Sequence, residues 1–148
     1  MQIRSATPRE EADWLRMRHA LWPEGSGDHV AEIERYFAGQ LKEPLEVLLA
    51  FDDRGNAIGF AELSIRAYAE DCVTDRVAYL EGWYVDPSSR RAGVGRALVQ
   101  AAEQWARAQG CTEFGSDALI DNDISLAAHL ALGFEETVQL RCFRKALG

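Results

Sequence analysis

Tyr79-Leu80-Glu81-Gly82-Trp83-Tyr84-Val85-Asp86-Pro87-Ser88-Ser89-Arg90-Arg91-Ala92-Gly93-Val94-Gly95-Arg96-Ala97-Leu98-Val99 reads as a strand, a turn, a glycine-spaced loop and the start of a helix. The loop bares backbone N–H groups where the helix begins. A helix start carries unpaired donors and partial positive charge, which suits a phosphate or pyrophosphate. Gly93 and Gly95 let the backbone approach such an anion without a side chain in the way. Arg90 and Arg91 add attraction and bonds to phosphate oxygens. No Gly-Lys-Ser/Thr follows, so this is not a P-loop, and the dinucleotide pattern G-x-G-x-x-G is not met. The plain alternative is a glycine-containing turn between a strand and a helix. Two arginines in the loop weigh against it.

A chain of 148 residues is expected to form a single domain, residues 1–148, with a real core. No apolar run reaches the length of a membrane span. The N-terminus lacks a basic segment followed by an apolar one, so no signal peptide is expected. Cys72, Cys111 and Cys142 are odd in number and widely spaced, which points to reduced thiols in the cytoplasm. His19, His29 and His129 are scattered and metal-ligand spacing is absent, so no metal is expected. A net charge of −8 disfavours nucleic acid and favours a cationic partner, although acidity also serves solubility alone.

Outward from the opening stretch, local signals divide the chain. Residues 2–6 form a short strand. Thr7, Pro8 and Glu10 start a helix as N-cap, first helical residue and capping-box acid, and Trp22-Pro23 ends it. Asp28 caps a second helix running to about residue 38. Residues 45–51 and 57–66 read as a hairpin turned at Gly55. A polar loop over 67–76 precedes the strand 77–85. Leu98, Ala101, Ala102, Trp105 and Ala108 recur at helical spacing over 94–109. A strand over 112–116, a helix over 124–132 and a last strand over 136–145 complete the pattern.

Glu81 is the anomaly of an apolar, aromatic strand. A carboxylate there is costly unless paired or lining a wet cleft. Gly82 beside it points to a bulge, and bulges re-aim side chains. An edge-strand Glu facing solvent is the simpler alternative. Asp117 follows the strand 112–116 and makes a candidate carboxylate pair with Glu81. Such a pair can hold an ammonium and take up the proton that must leave before an amine attacks. Asp117 also suits a turn or cap before Asn122.

The opening stretch resembles motif A of the GNAT family, the acetyl-CoA-dependent N-acetyltransferases, written Q/R-x-x-G-x-G/A and met by Arg90, Gly93 and Gly95. A second signature, N-x-x-A-x-x-x-Y-x-x-x-G-F, is approached by residues 122–134: Asn122, Gly133 and Phe134 match, Ser125 replaces Ala, and His129 stands at the Tyr. The element order β-α-α-β-β-β-α-β-α-β is similar to that family over essentially the whole chain. The resemblance implies an α+β, three-layer α/β/α fold, with a mixed, mostly antiparallel sheet and helices on both faces. It implies acetyl-CoA as co-substrate, and it makes His129 a candidate acid for the departing thiolate. A packed helix histidine with no catalytic role stands beside that reading with equal weight.

Several segments resemble one subgroup, the aminoglycoside 6′-N-acetyltransferases: Leu21-Trp22-Pro23, Ser64-Ile65-Arg66 with Tyr68, Leu80-Glu81-Gly82, Ser116-Asp117, and Leu132-Gly133-Phe134-Glu135-Glu136-Thr137. That resemblance implies a substrate site of Trp22, Tyr68, Glu81 and Asp117. It implies cofactor contacts from Trp83, Tyr84 and Val85, from Arg91, Ala92, Gly93, Val94, Gly95 and Arg96, and from Asn122. Trp83 departs from the smaller aliphatic residue of the pattern. A cytoplasmic homodimer acting on a cationic aminoglycoside, without nucleic acid or membrane, is the expectation. Another cationic amine, such as a polyamine or a protein N-terminus, is an alternative substrate, and a non-catalytic acyl-CoA-binding module is an alternative role.

Overall fold

Pro8 and Glu10 start the first helix as their order requires. The computed structural model describes residues 1–148, positions 26 and 27 by their backbone alone. Strand β1 (Gln2–Ser5) leads through a 3-10 turn (Pro8–Glu10) into α1 (Glu11–Leu21). The Glu10 carboxylate accepts the Thr7 N–H at 2.8 Å and the Thr7 hydroxyl at 2.7 Å. Arg4 donates to its other oxygen at 2.7 Å. After Trp22 a second 3-10 turn (Pro23–Gly25) feeds directly into α2 (Ser26–Phe37). The helix therefore begins before Asp28, which lies inside its first turn rather than capping it.

β2 (Glu46–Phe51) and β3 (Ala57–Arg66) form the expected hairpin. Gly55 takes φ +83°, a left-handed conformation open to glycine, and Asp52 accepts the Arg54 and Asn56 N–H groups at 2.9 Å. β4 (Val77–Val85) runs antiparallel to β3. Then follow α3 (Val94–Ala108), β5 (Phe114–Ser116) parallel to β4, and α4 (Asp123–Ala131). Among the described residues these strands make one mixed sheet in the order β1-β2-β3-β4-β5, antiparallel except at its last pair.

Alternation along the strands loads both faces. Val47, Leu49, Phe51 and Phe60 pack with Trp14, Met17 and Ile33 of α1 and α2. Leu48, Ala50, Ala61, Leu63 and Leu80 pack with Val94, Leu98, Val99 and Ala102 of α3. Side chains one residue apart in a strand point to opposite faces, so a sheet sandwiched between helices reads as nearly continuous apolar sequence. The result is the three-layer α+β arrangement expected.

Two details position the site. The β3–β4 register shifts so that Glu62 faces Gly82 while Leu63 faces Leu80, leaving Glu81 as the extra residue of a bulge. The parallel ladder of β4 with β5 pairs Ala78, Tyr79 and Leu80 with Phe114, Gly115 and Ser116, then stops. From Glu81 to Val85 that side of β4 has no paired strand among the described residues.

The last strand expected over 136–145 is absent: residues 134–148 carry neither helix nor strand. The sequence alternates, but a strand exists only by pairing its backbone, and this segment has no ladder partner among the described residues. Val138, Leu140 and Phe143 are exposed accordingly.

Candidate active site

Gly93 closes the loop ahead of α3 with φ +81°, and Arg91 sits at φ +64°. These left-handed turns aim successive backbone N–H groups toward one side, an anion-binding concavity. The first backbone bond of the helix runs from the Ala97 N–H to the Gly93 carbonyl at 3.0 Å. The N–H groups of Val94, Gly95 and Arg96 precede it and have no intrahelical partner. A Cβ built on Gly93 meets nothing within 4 Å, so the approach is open. Arg91, Ala92 and Arg96 are exposed or half-exposed around it. Arg90 turns back, its Nε–H donating to the Val85 carbonyl at 2.9 Å. Gly95 also lies close under Trp83: a Cβ there stands 3.2 Å from the ring, whose indole N–H donates to the Gly95 carbonyl at 3.2 Å. Trp83 and Val85 face α3, while Tyr84 turns into the opposite core.

Glu81 projects from the bulge into a clasp. Arg66 donates Nε–H to Oε2 at 2.9 Å and Nη2–H to Oε1 at 2.6 Å, and Ser64 also bonds Oε2. The Glu81 carboxylate pushes the Arg66 guanidinium above its usual range, so the arginine stays charged. The same guanidinium lies 3.6 Å from the centroid of the Tyr79 ring. Tyr79 in turn donates its hydroxyl to Asp117 Oδ2 at 2.8 Å. Burial and the Asp117 carboxylate raise the Tyr79 phenol, which therefore remains a donor. Glu81 and Asp117 thus belong to one network, each held by its own partner rather than by the other. Asp117 is exposed beyond the end of β5.

Beside Glu81 opens a cavity of about 290 Å³ lined by Arg18, Trp22, His29, Glu32, Glu43, Pro44, Glu62 and Glu81. Four carboxylates against one lining guanidinium make it acidic. Its floor is a buried cluster that no local sequence signal marks. Arg18 clasps Glu62 through Nε at 2.7 Å and Nη2 at 2.7 Å, and bonds Glu32 through Nη1 at 2.6 Å. Trp14 also donates to Glu62, at 3.1 Å. His29 accepts from Arg18 at Nδ1 and donates Nε2–H to the Trp22 carbonyl at 2.9 Å, fixing the end of α1. Trp22 packs against Gly82, where a Cβ would stand 2.6 Å from its ring. Tyr68, also expected at a substrate site, lies on the 67–76 loop at 69% exposure and does not line this cavity.

At the same end of β5, His129 is fully engaged. Its Nδ1 bonds the Ser125 carbonyl at 2.7 Å, so that nitrogen carries the hydrogen, and Nε2 stands 2.8 Å from Ser116 Oγ. Trp83 and Phe134 wall the ring edge-on at 5.3 and 5.1 Å. Asn122 caps α4, its Oδ1 accepting the Ser125 N–H at 3.0 Å. Among the described residues no group of three or more His, Cys, Asp or Glu gathers as a metal site.

The sequence pattern of the acetyltransferase (GNAT) family matches residues 13–134. This chain belongs to that family. Among GNAT relatives, the aminoglycoside N(6′)-acetyltransferase type 1 of Klebsiella aerogenes is 54% identical over 146 residues, covering 98% of this chain and 96% of the relative. The crystal structure of the aminoglycoside 6′-N-acetyltransferase AAC(6′)-Ig from Acinetobacter haemolyticus superposes with a TM-score of 0.91 at 40% identity, covering 100% of both chains. AAC(6′)-Iy in complex with the bisubstrate analogue CoA-S-monomethyl-acetylneamine superposes at 0.90 with 38% identity, covering 99% of this chain and 98% of that one.

Proposed function

We propose that this GNAT acetyltransferase moves the acetyl group of acetyl-CoA to the 6′-amine of an aminoglycoside. One observation carries the reading: β4 and β5 part at Leu80 and Ser116, between an anion-suited helix start and an acidic cavity. The Arg91–Arg96 backbone holds the pyrophosphate there, with Arg90 fastening the loop to β4. The unpaired edge at Trp83, Tyr84 and Val85 accepts the amides of the pantetheine arm as it would an added strand. The Asn122 side-chain amide, with its oxygen committed to capping, offers its N–H groups to the same arm.

The drug enters on the acidic side. Trp22 flanks its rings within the cavity, Tyr68, exposed on the 67–76 loop, meets them outside it, and Glu81, clasped by Arg66, holds an ammonium. An ammonium has no lone pair, so a base must take a proton before attack; Asp117 is that base. The freed amine then forms a bond to the acetyl carbon as the carbon–sulfur bond breaks; the acylated nitrogen releases its second proton to water, leaving the neutral amide, and the thiolate takes up a proton supplied through His129. No covalent acetyl-enzyme is required. The chain works as one domain in the cytoplasm and as a homodimer, with residues 136–145 contributing to the interface and without a nucleic-acid or membrane partner. A thiol-release assay with acetyl-CoA tests this reading: turnover with 6′-amino aminoglycosides supports it, and turnover confined to polyamines or N-terminal peptides would replace it.

A further inference from the structure

The strand and helix that meet beside the end of the β4–β5 ladder bring together a hydroxyl and an imidazole that the chemistry above leaves half explained. Ser116 is the last residue of β5 and is paired with Leu80, the last residue of β4 before the bulge. Its Oγ lies 2.8 Å from His129 Nε2 and 3.4 Å from the Leu80 carbonyl. The other ring nitrogen is committed to the Ser125 carbonyl. A histidine with both nitrogens bonded presents neither to a ligand; what it has is a neighbouring hydroxyl, with one hydrogen and two lone pairs. Both Ser116 and His129 are half-buried, and Trp83, on the unpaired part of β4, stands against the imidazole.

From this geometry we infer that Ser116 is a proton relay between His129 and the departing thiolate. The inference rests on the acetyl-transfer reading. A serine hydroxyl has one hydrogen and two acceptor lone pairs, so it can receive at one side while giving at the other. With His129 in its imidazolium form, Nδ1–H stays on the Ser125 carbonyl and Nε2–H donates to Ser116 Oγ. The Ser116 hydrogen is then free to turn from the Leu80 carbonyl toward sulfur. As the carbon–sulfur bond breaks, the electron pair goes to sulfur. Sulfur takes the Ser116 hydrogen while Oγ takes the Nε2 hydrogen. CoA leaves as the thiol, Ser116 ends as a neutral hydroxyl, and His129 ends neutral with its hydrogen on Nδ1, the tautomer that the Ser125 carbonyl requires. Water returns a proton to His129 before the next turnover.

The competing account is that the Ser116–His129 bond only ties α4 to β5. His129→Gln separates the two. Glutamine offers side-chain N–H groups to Ser116 and can keep the tie, but it cannot release a proton. The test is steady-state kinetics of the full chain with acetyl-CoA and kanamycin, together with melting temperature and the solvent deuterium isotope effect. We expect His129→Gln and Ser116→Ala each to lower kcat by roughly tenfold to a hundredfold, toward the range of a lost acid–base group. The acetyl-CoA KM should change less than about twofold, as for an interaction made in the transition state alone. Ser116→Thr, which retains the hydroxyl, should recover most of the loss. The dependence of kcat on deuterium content should be curved in the wild type, where two hydrogens move together, and should lose that curvature in Ser116→Ala. A folded His129→Gln with wild-type kcat, or identical isotope curves for wild type and Ser116→Ala, overturns the relay and leaves acetyl transfer standing. Failure of the wild type itself to release CoA thiol overturns the acetyl-transfer reading instead.

Discussion

Arg66 holds Glu81 by two hydrogen bonds from one guanidinium, Nε to Oε2 at 2.9 Å and Nη2 to Oε1 at 2.6 Å. A carboxylate clasped this way has both oxygens committed and is held in one place. Asp117 accepts from the Tyr79 hydroxyl but faces no guanidinium among its hydrogen bonds. In the proposed reaction the two carboxylates divide the work: Glu81 binds and Asp117 deprotonates.

That division separates two variants kinetically. Asp117→Asn keeps the shape and the bond from Tyr79 while removing basicity, and kcat should fall roughly tenfold or more. Glu81→Gln should act first on the aminoglycoside KM. A hydrogen bond to a charged group is worth about 1.5–3 kcal/mol, on the order of a tenfold to hundredfold weaker grip. Initial-rate measurements over both substrates check the split. A fully active Asp117→Asn contradicts it.

Gly93 tests the anion site without crowding. Its φ of +81° strains any other residue, but a Cβ there meets no atom within 4 Å. Asparagine visits this left-handed region more readily than most residues and carries no charge. Gly93→Asp should therefore raise the acetyl-CoA KM well beyond Gly93→Asn, with both proteins folded by circular dichroism. Equal constants for the two variants would mean that backbone strain, not an anion, accounts for the glycine.

Gly82 lets Trp22 lie close against the bulge. A methyl at Gly82 would stand 2.6 Å from Trp22 Cη2, closer than side chains tolerate, so the ring must move. Overpacking of this kind costs about 1–3 kcal/mol. Gly82→Ala should lower the melting temperature and raise the aminoglycoside KM, leaving the acetyl-CoA KM nearly unchanged. An unaltered aminoglycoside KM would remove Trp22 from the substrate wall.

Glu10 is a structural carboxylate with a pH signature. Its bonds from Arg4 and Thr7 hold its carboxyl down at about 2, against an ordinary value of 4.5, with Arg4 the largest cause. Because the folded value is the lower one, this stabilisation is complete above about pH 4.5 and is lost as pH falls toward 2. Wild type should melt well above Glu10→Gln at pH 7, with the gap closing across that acid window. A gap that persists unchanged at pH 2 contradicts the assignment.

Local signals are legible in sequence wherever one segment contains its own cause. The Arg90–Gly95 loop, the Thr7-Pro8 helix start and the Gly55 turn each depend on residues a few places apart. The bulge at Glu81 is legible too, because a carboxylate is costly in a regular apolar ladder and a neighbouring glycine lets the backbone bend to re-aim it. What stays hidden are partnerships across the sheet. Arg18 and Glu62 are 44 residues apart, and neither announces that it is buried. Arg66 and Ser64 are visible as letters of a pattern, but their closure on Glu81 depends on register. Ser116 stays hidden for the same reason, since its bond to His129 needs β5 and α4 already in place. The segment 136–145 has the alternation of a strand and lacks a ladder partner among the described residues, which alternation alone cannot supply.

Identification of the product formed from kanamycin and acetyl-CoA tests the central claim most directly. Mass spectrometry should show addition of one acetyl group, and two-dimensional NMR should place it on the 6′-nitrogen through a correlation from the acetyl carbonyl to the 6′-methylene protons. An acetyl group on another amine of the drug, or no acetylated drug from a folded protein that binds acetyl-CoA, would contradict it.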